Sequence, residues 1–314
     1  MSSLANLKKE FLEYLEIEKN RSHATLQNYN FYLQRFINWV KLKKISDAEK
    51  ITLPLIRHYR LWLNRLTDKN NETLKKNTQN YHLIALRSFL KYLAKRDIKT
   101  LAPEKIELAK MPERQVEFLE GDDLQRLLDA PLKSQRPAII QKRDKAILET
   151  LFSTGLRVSE LASLKRENVN LNKEEFTVRG KGSKLRVVFL ADETRRCLKR
   201  YLESRTDVHP AIFIRHDRAS KKTGELESLT PRSIQRLVEK YARQAGLTKK
   251  ITPHTMRHSY ATDLLLNGAD IRSVQAMLGH ASITTTQIYT HITNQQLRDV
   301  HKAFHARRRG KNKD

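Results

Sequence analysis

The sequence predicts a mainly α-helical protein with one small β-hairpin, divided into an N-terminal four-helix domain and a larger α-rich domain. Three observations carry that expectation. Apolar residues recur at helical spacing through most of the chain. One short stretch, residues 176–189, alternates apolar and polar positions on either side of a Gly-Lys-Gly turn. The 314 residues suffice for two cores, and the charged, proline-containing stretch AKMPERQVE at 109–117 reads as the joint between them. The expected division is residues 1–108, a linker at 109–117, a second domain at 118–293, and a C-terminal helix with a basic tail at 294–314.

The elements follow in order. Leu4, Leu7, Phe11, Leu12 and Leu15 form the first apolar stripe. Ser22 is placed to cap a second helix, whose stripe is Tyr29, Leu33, Phe36, Ile37 and Val40. Thr52 followed by Pro54 starts a third, with Leu55, Ile56, Tyr59 and Leu63. A polar loop, LTDKNNETLKKN, leads to a fourth with Tyr81, Ile84, Leu86, Phe89, Leu90 and Leu93. Stripes of this period bury against one another.

In the second domain, residues 118–129 begin a helix with Asp122 as a candidate cap, and helices at 138–153 and 157–164 come next. In the hairpin the apolar alternation reads Phe176, Val178, then Leu185, Val187, Phe189. A helix at 193–203, a strand at 211–215, the basic loop DRASKKTGELE and a helix at 231–246 follow, the last with Ile234, Leu237, Val238 and Tyr241 inward. Its first turn exposes Arg232 and Gln235, which suit either base edges in a major groove or a plain solvated surface. Thr252 and Pro253 open a helix whose buried side is Met256, Tyr260, Leu264 and Leu265, and Gly268 ends it. Gly279 ends the next helix, 271–278, and Ser282 is placed to cap a short one carrying Tyr289.

Lys and Arg number 61 against 35 Asp and Glu, a net charge of +26. That excess selects a polyanion as partner, nucleic acid before membrane. The one cysteine, Cys197, has no partner for an internal disulfide and falls at a core spacing. No run of 18 apolar residues occurs, so no membrane span is expected, and the N-terminus lacks a signal-peptide core. Cytoplasm or nucleoid is the expected location.

The stretch PHTMRHSYATDLLLNGADIRSVQAMLGHASITTTQIYT holds the densest chemistry. His254, Arg257 and His258 fall at i, i+3 and i+4, on one helical face, with His280 and Tyr289 downstream. Upstream lie Arg157 and Glu160 at i, i+3, and Lys181 at the hairpin turn. Arginine grips two phosphate oxygens at once, histidine donates to another or takes up a proton, and a tyrosine flanked by cations becomes a usable nucleophile. Taken alone, Gly-Lys-Gly is an ordinary basic turn. His254 and His258 with His280 also suit a zinc ion, but the zincin pattern needs Glu where this chain has Thr255.

The motifs TGLRVSEL, the GKG hairpin, HTMRHSYATDLL and LGHASITTTQIYTH together resemble the tyrosine recombinases, the lambda-integrase family, and within it the compact Xer type. The resemblance spans nearly the whole chain. It implies that the N-terminal helical domain grips one face of DNA and that the second domain is catalytic. It implies Tyr289 as the nucleophile forming a 3′-phosphotyrosyl link, Arg157 and Arg257 as the phosphate clamp, and His254 and His280 as donors that assist proton movement. Lys181 becomes the general acid, with Glu160 and His258 in support. Arg232, Gln235, Lys184, Arg186 and Arg87 are candidate DNA contacts. Leu297, Val300 and Phe304 are expected to dock in a neighbouring subunit, ahead of a disordered basic tail.

No metal, cofactor or ATP is expected. The implied partners are double-stranded DNA with a specific recombination site, and further copies of the chain or a paralogue in a tetramer across two sites. An activator protein is a further expected partner. The implied reaction is site-specific recombination through a Holliday junction, with chromosome dimer resolution as the expected role. No extra domain precedes the four helices, which favours that role over mobile-element integration. A type IB topoisomerase and a catalytically silent DNA-binding protein are the other readings.

Overall fold

The computed structural model describes residues 3–67, 71–111, 117–119, 121–180, 184–216 and 226–279. The chain forms two compact units, Met1–Glu113 and Arg114–Asp314. Among the described residues no helix is long and apolar enough to cross a membrane.

The first unit is built from α1 (Leu4–Ile17), α2 (His23–Lys41), α3 (Leu53–Arg65) and α4 (Lys76–Lys95). Ser3 caps α1 by accepting from the Asn6 N–H, and Thr52 caps α3 by accepting from the Leu55 N–H. Ser22 occupies the N-cap position of α2 but hydrogen-bonds the Thr25 hydroxyl instead of a backbone N–H. α4 packs against the other three helices, and Phe11, Phe36, Tyr59, Leu86 and Phe89 fill the centre. On α4 the expected stripe is out of phase at its start: Tyr81 is 52% and Ile84 38% exposed. Their places inside are taken by Leu83 and by His82, which is buried between Tyr59 and Arg35. Burial, with the Arg35 cation beside it, pushes the His82 imidazole down to about 4.

The second unit is organised on α6 (Ala138–Thr154), which is covered on nearly every side. Around it lie α5 (Gly121–Asp129), α7 (Val158–Ala162), α8 (Asp192–Glu203), α9 (Pro231–Gln244) and α10 (Pro253–Leu266). α11 (Ile271–Leu278) packs on α10. Asp122 lies inside the first turn of α5, where its charge suits the helix N-terminus, and not at the cap. Residues 211–215 form no strand. Single bridges join Ala211 to Lys165 and Ile214 to Ser228. Four charged residues of α6 are buried but paired: Lys145 bonds Glu149 at 2.8 Å and Asp129 of α5 at 2.9 Å, and Arg143 bonds Asp144 at 2.7 Å. Cys197 on α8 is buried beside Glu193.

The hairpin pairs β1 (Glu175–Arg179) antiparallel with β2 (Leu185–Phe189), setting Phe176 opposite Val188 and Val178 opposite Arg186. Phe176, Val178 and Val188 are buried, whereas Leu185, Val187 and Phe189 are 65%, 44% and 47% exposed. The inward row of β2 is therefore the one that holds Arg186, opposite in phase to the apolar alternation read from the sequence.

α6 ends at Gly155, in the left-handed region at φ 58°. A Cβ there would lie 2.5 Å from the Tyr260 ring of α10. Gly155→Ala should thus lower the unfolding free energy of the second unit by about 2–4 kcal/mol, from left-handed strain plus overpacking. Urea unfolding of the variant checks this, and an unchanged midpoint would show that the turn is not constrained by that contact.

Candidate active site

The first turn of α10 is fixed by a reciprocal cap. Thr252 Oγ1 accepts from Thr255 N at 3.2 Å, and Thr255 Oγ1 accepts from Thr252 N at 3.2 Å. Pro253 occupies the first helical position, where no N–H is needed. Next come His254, exposed, and His258, half-buried, with their rings stacked at 5.7 Å. Arg257, between them in sequence, is only 3% exposed. Its Nη1 donates to the Gly155 carbonyl at 2.6 Å and its Nη2 to the Leu278 carbonyl at 2.6 Å. Two residues after Arg257, Ser259 Oγ accepts from the Leu119 N–H at 2.8 Å, which anchors the start of the second unit onto this helix.

Arg157 enters from the turn after α6, as the N-cap residue of α7. Glu160, one turn along, accepts from the Arg157 backbone N–H at 2.8 Å and from Arg157 Nη1 at 2.9 Å. Arg157 Nη2 donates to the Gly279 carbonyl at 3.2 Å. Arg186 reaches the same carboxylate from β2, with Nη1 and Nη2 on the two oxygens at 2.9 and 2.8 Å, and its Nε donates to the Met277 carbonyl at 3.1 Å.

Three successive carbonyls, Met277, Leu278 and Gly279, thus each receive one arginine: Arg186, Arg257 and Arg157. The reason is local. A helix leaves its last carbonyls without intrahelical partners, and Gly279 at φ 64° turns the chain aside so that they stay accessible. The partial negative charge of the helix end favours cations there. Burial alone would raise the Glu160 carboxyl, but hydrogen bonds from Arg186 and from the Arg157 backbone and side chain outweigh it and hold it at about 2. A carboxyl depressed in this way stabilises the fold above its ordinary range, and that contribution is lost as pH falls towards 2.

The structure brings Arg157, Glu160, His254, Arg257 and His258 into one region around α10 and α11. It departs from expectation at Arg186. Expected to touch DNA, this side chain is 8% exposed, with its guanidinium on Glu160 and the Met277 carbonyl. Sequence offers no phase signal here, because positions 185–190 are apolar everywhere except 186. Lys184 and Arg232 are exposed, Arg232 lies 3.4 Å from Gln235, and Arg87 is half-buried on α4. Lys181, His280, Tyr289, Leu297, Val300 and Phe304 lie outside the described residues. Among the described residues no group of three His, Cys, Asp or Glu could hold a metal, and the zinc reading needs His280.

Elsewhere on the second unit, a cavity of about 370 Å³ lies between α6 and α9, with Arg136, Arg236 and Lys240 on its wall. Asp144, also on the wall, is already paired with Arg143 at 2.7 Å and accepts from Tyr241 Oη at 2.7 Å. Burial first, and then the neighbouring Arg136, push the Lys240 amine down. The site therefore concentrates positive charge.

Comparison with known proteins gives a consistent picture. A model of the phage integrase family matches residues 117–296, and a model of the phage integrase N-terminal SAM-like domain matches residues 9–97. Tyrosine recombinase XerC of Bacillus subtilis is 33% identical, over 99% of this chain and 100% of its own. Tyrosine recombinase XerD of Oceanobacillus iheyensis is 35% identical, over 95% and 97%. Among solved structures, XerA recombinase is 30% identical, with a TM-score of 0.51, covering 96% of this chain and 98% of its own. XerH recombinase bound to a palindromic difH substrate shares the fold at a TM-score of 0.71 with 23% identity, covering 96% and 85%. Matched in both units, and at a third of its positions over nearly its whole length, the chain belongs to the phage integrase family of tyrosine recombinases, in its Xer-type branch, and is a site-specific DNA strand transferase.

Proposed function

We propose that this chain exchanges strands between two copies of a specific double-stranded DNA site, through a 3′-phosphotyrosyl link on Tyr289 and a Holliday junction, in the service of chromosome dimer resolution. The observation that carries the reading is the placement of Arg157 and Arg257 on adjacent carbonyls of one helix end, with His254 exposed on the same helix as Arg257. Two guanidiniums held in a fixed frame offer charge to the non-bridging oxygens of a phosphodiester without reorganisation. Their charge serves where other phosphoryl-transfer enzymes use metal ions. His254 and His280 donate to the developing charge, with His258 in support, and Lys181 gives a proton to the departing 5′-oxygen. The tyrosyl ester retains the bond energy, so attack by a 5′-hydroxyl of the other duplex restores a phosphodiester and frees the phenol without ATP.

DNA is held in this reading by the net charge of +26, by Arg232 and Gln235 on the first turn of α9, by Lys184 and Arg87, and by the basic cavity beside α9. Four subunits, of this chain alone or with a paralogue, act on two sites in the cytoplasm at the nucleoid, with an activator protein setting the order of exchange. Leu297, Val300 and Phe304 dock each C-terminal helix in a neighbour, and a head-to-tail contact of this kind closes into a ring.

Tyr289→Phe keeps the ring for packing and removes the attacking oxygen. It should bind the site with unchanged affinity and give no covalent adduct on a nicked duplex. An adduct from this variant, seen by denaturing electrophoresis, would remove Tyr289 from its role.

Lys181→Ala should slow cleavage of ordinary DNA by about 10²–10⁴-fold. A substrate with sulfur at the 5′-bridging position releases a thiolate that needs no proton, so its cleavage should fall by less than about tenfold. Equal slowing on both substrates would leave Lys181 as a DNA-positioning residue only.

Truncation after Thr293 should leave binding to a single site nearly intact and abolish cooperative pairing of sites and strand exchange. Normal recombination by the truncated chain would rule out docking between subunits.

A further inference from the structure

The Arg186 side chain is largely enclosed. It lies in a slot between two glycines: a Cβ at Gly279 would come 2.8 Å from its Cδ, and one at Gly180 would come 3.2 Å from its Nη1. Its side chain is 8% exposed, against 30% for Arg157. Both terminal nitrogens face Glu160, and Nε faces the Met277 carbonyl. A lysine would offer a point charge where three directed donors are used.

Charge explains why such a residue is needed. Glu160 is hydrogen-bonded to Arg157 Nη1. Were Glu160 balanced by Arg157 alone, that arginine would have little net charge left for a phosphate. With Arg186 on the same carboxylate, two cations share one anion, and the surplus of one positive charge is available at the more exposed of the two, Arg157. Connectivity gives Arg186 a second effect. It lies five positions after Lys181 in sequence, and its Nε holds the end of α11, which precedes His280 in the chain.

We propose that Arg186 is a positioning residue for strand cleavage: through Glu160 it frees and aims the Arg157 guanidinium, and through the Met277 carbonyl it fixes that guanidinium relative to the hairpin and the end of α11. The proposal rests on the reading of Arg157 as a phosphate clamp. Arg186 itself touches no substrate. It acts on the reaction by preventing Arg157 from being spent on Glu160.

The test uses the full-length chain in single-turnover cleavage of a nicked site, with either an ordinary scissile phosphate or a methylphosphonate there. The methylphosphonate lacks one non-bridging oxygen and its charge, so the clamp matters less on it. Arg186→Lys keeps the charge and loses the fork; Arg186→Met removes both, and its thermal midpoint and site affinity are measured alongside. Arg157→Ala is the reference. Arg186→Lys should cut the phosphate at least about 100-fold more slowly, with site affinity within about threefold, and cut the methylphosphonate within about tenfold of the parent. Arg157→Ala should show the same selective loss.

A merely structural role for Arg186 would slow both substrates alike. Equal slowing by the Arg186 variants beside a selective Arg157→Ala overturns the positioning role and leaves the clamp standing. Equal slowing by Arg157→Ala as well overturns the clamp and this proposal together. Parental cleavage of the phosphate by Arg186→Lys also overturns the proposal.

Discussion

The end of α11 is the point on which the site depends. Its last carbonyls have no place in the helix, and each is met by an arginine from a different element: the turn after α6, strand β2 and helix α10. A helix terminus left bare inside a protein is costly. Here the missing partners are the site's own guanidiniums, so completing the helix and assembling the cation cluster are one event. The backbone acts as a rigid ruler, spacing three like charges that would repel one another if left to side-chain packing alone. Glu160, with Gly155 and Gly279 as the tight turns, supplies the rest of the frame.

Burying that much charge works only because every member is shared. Arg257 is almost wholly enclosed, yet both its terminal nitrogens have backbone acceptors at 2.6 Å. α6 follows the same rule, with Arg143, Asp144, Lys145 and Glu149 buried in paired form. Truncating one partner in such a network strands the other in a poorly solvated place, which costs more than the pair contributes when whole. The same pairing fixes the guanidiniums in place, which is what the proposed phosphate clamp requires.

Much of this was legible in the sequence, and the limits are physical. The caps were readable because Thr252 with Pro253, Thr52 with Pro54, and Gly279 each answer a backbone need that few residue types meet. Helical spacing placed His254, Arg257 and His258 on one face, and the motif resemblance named Arg157 as their partner from a distant element. The hairpin was readable as a hairpin but not in its phase. Five apolar neighbours around Arg186 give alternation nothing to distinguish, so the face was settled by pairing register and by the attraction of Glu160. The burial of His82 and of Asp144 was invisible for a related reason. Their burial depends on partners far away in sequence, such as Tyr59 and Arg35 for His82 and Tyr241 for Asp144. Tyr81 and Ile84 show the converse, apolar residues at helical spacing that face water.

The lone thiol has a practical consequence. Burial, with Glu193 beside it, pushes Cys197 up to about 12. The reactive thiolate is therefore scarce at neutral pH, and the sulfur is enclosed in the fold. Alkylating and maleimide reagents should therefore react slowly with the native protein at this position. Fluorophores or spin labels can be attached at single cysteines introduced on its surface, leaving Cys197 untouched, so distances within assemblies on DNA can be followed in a chain otherwise unaltered.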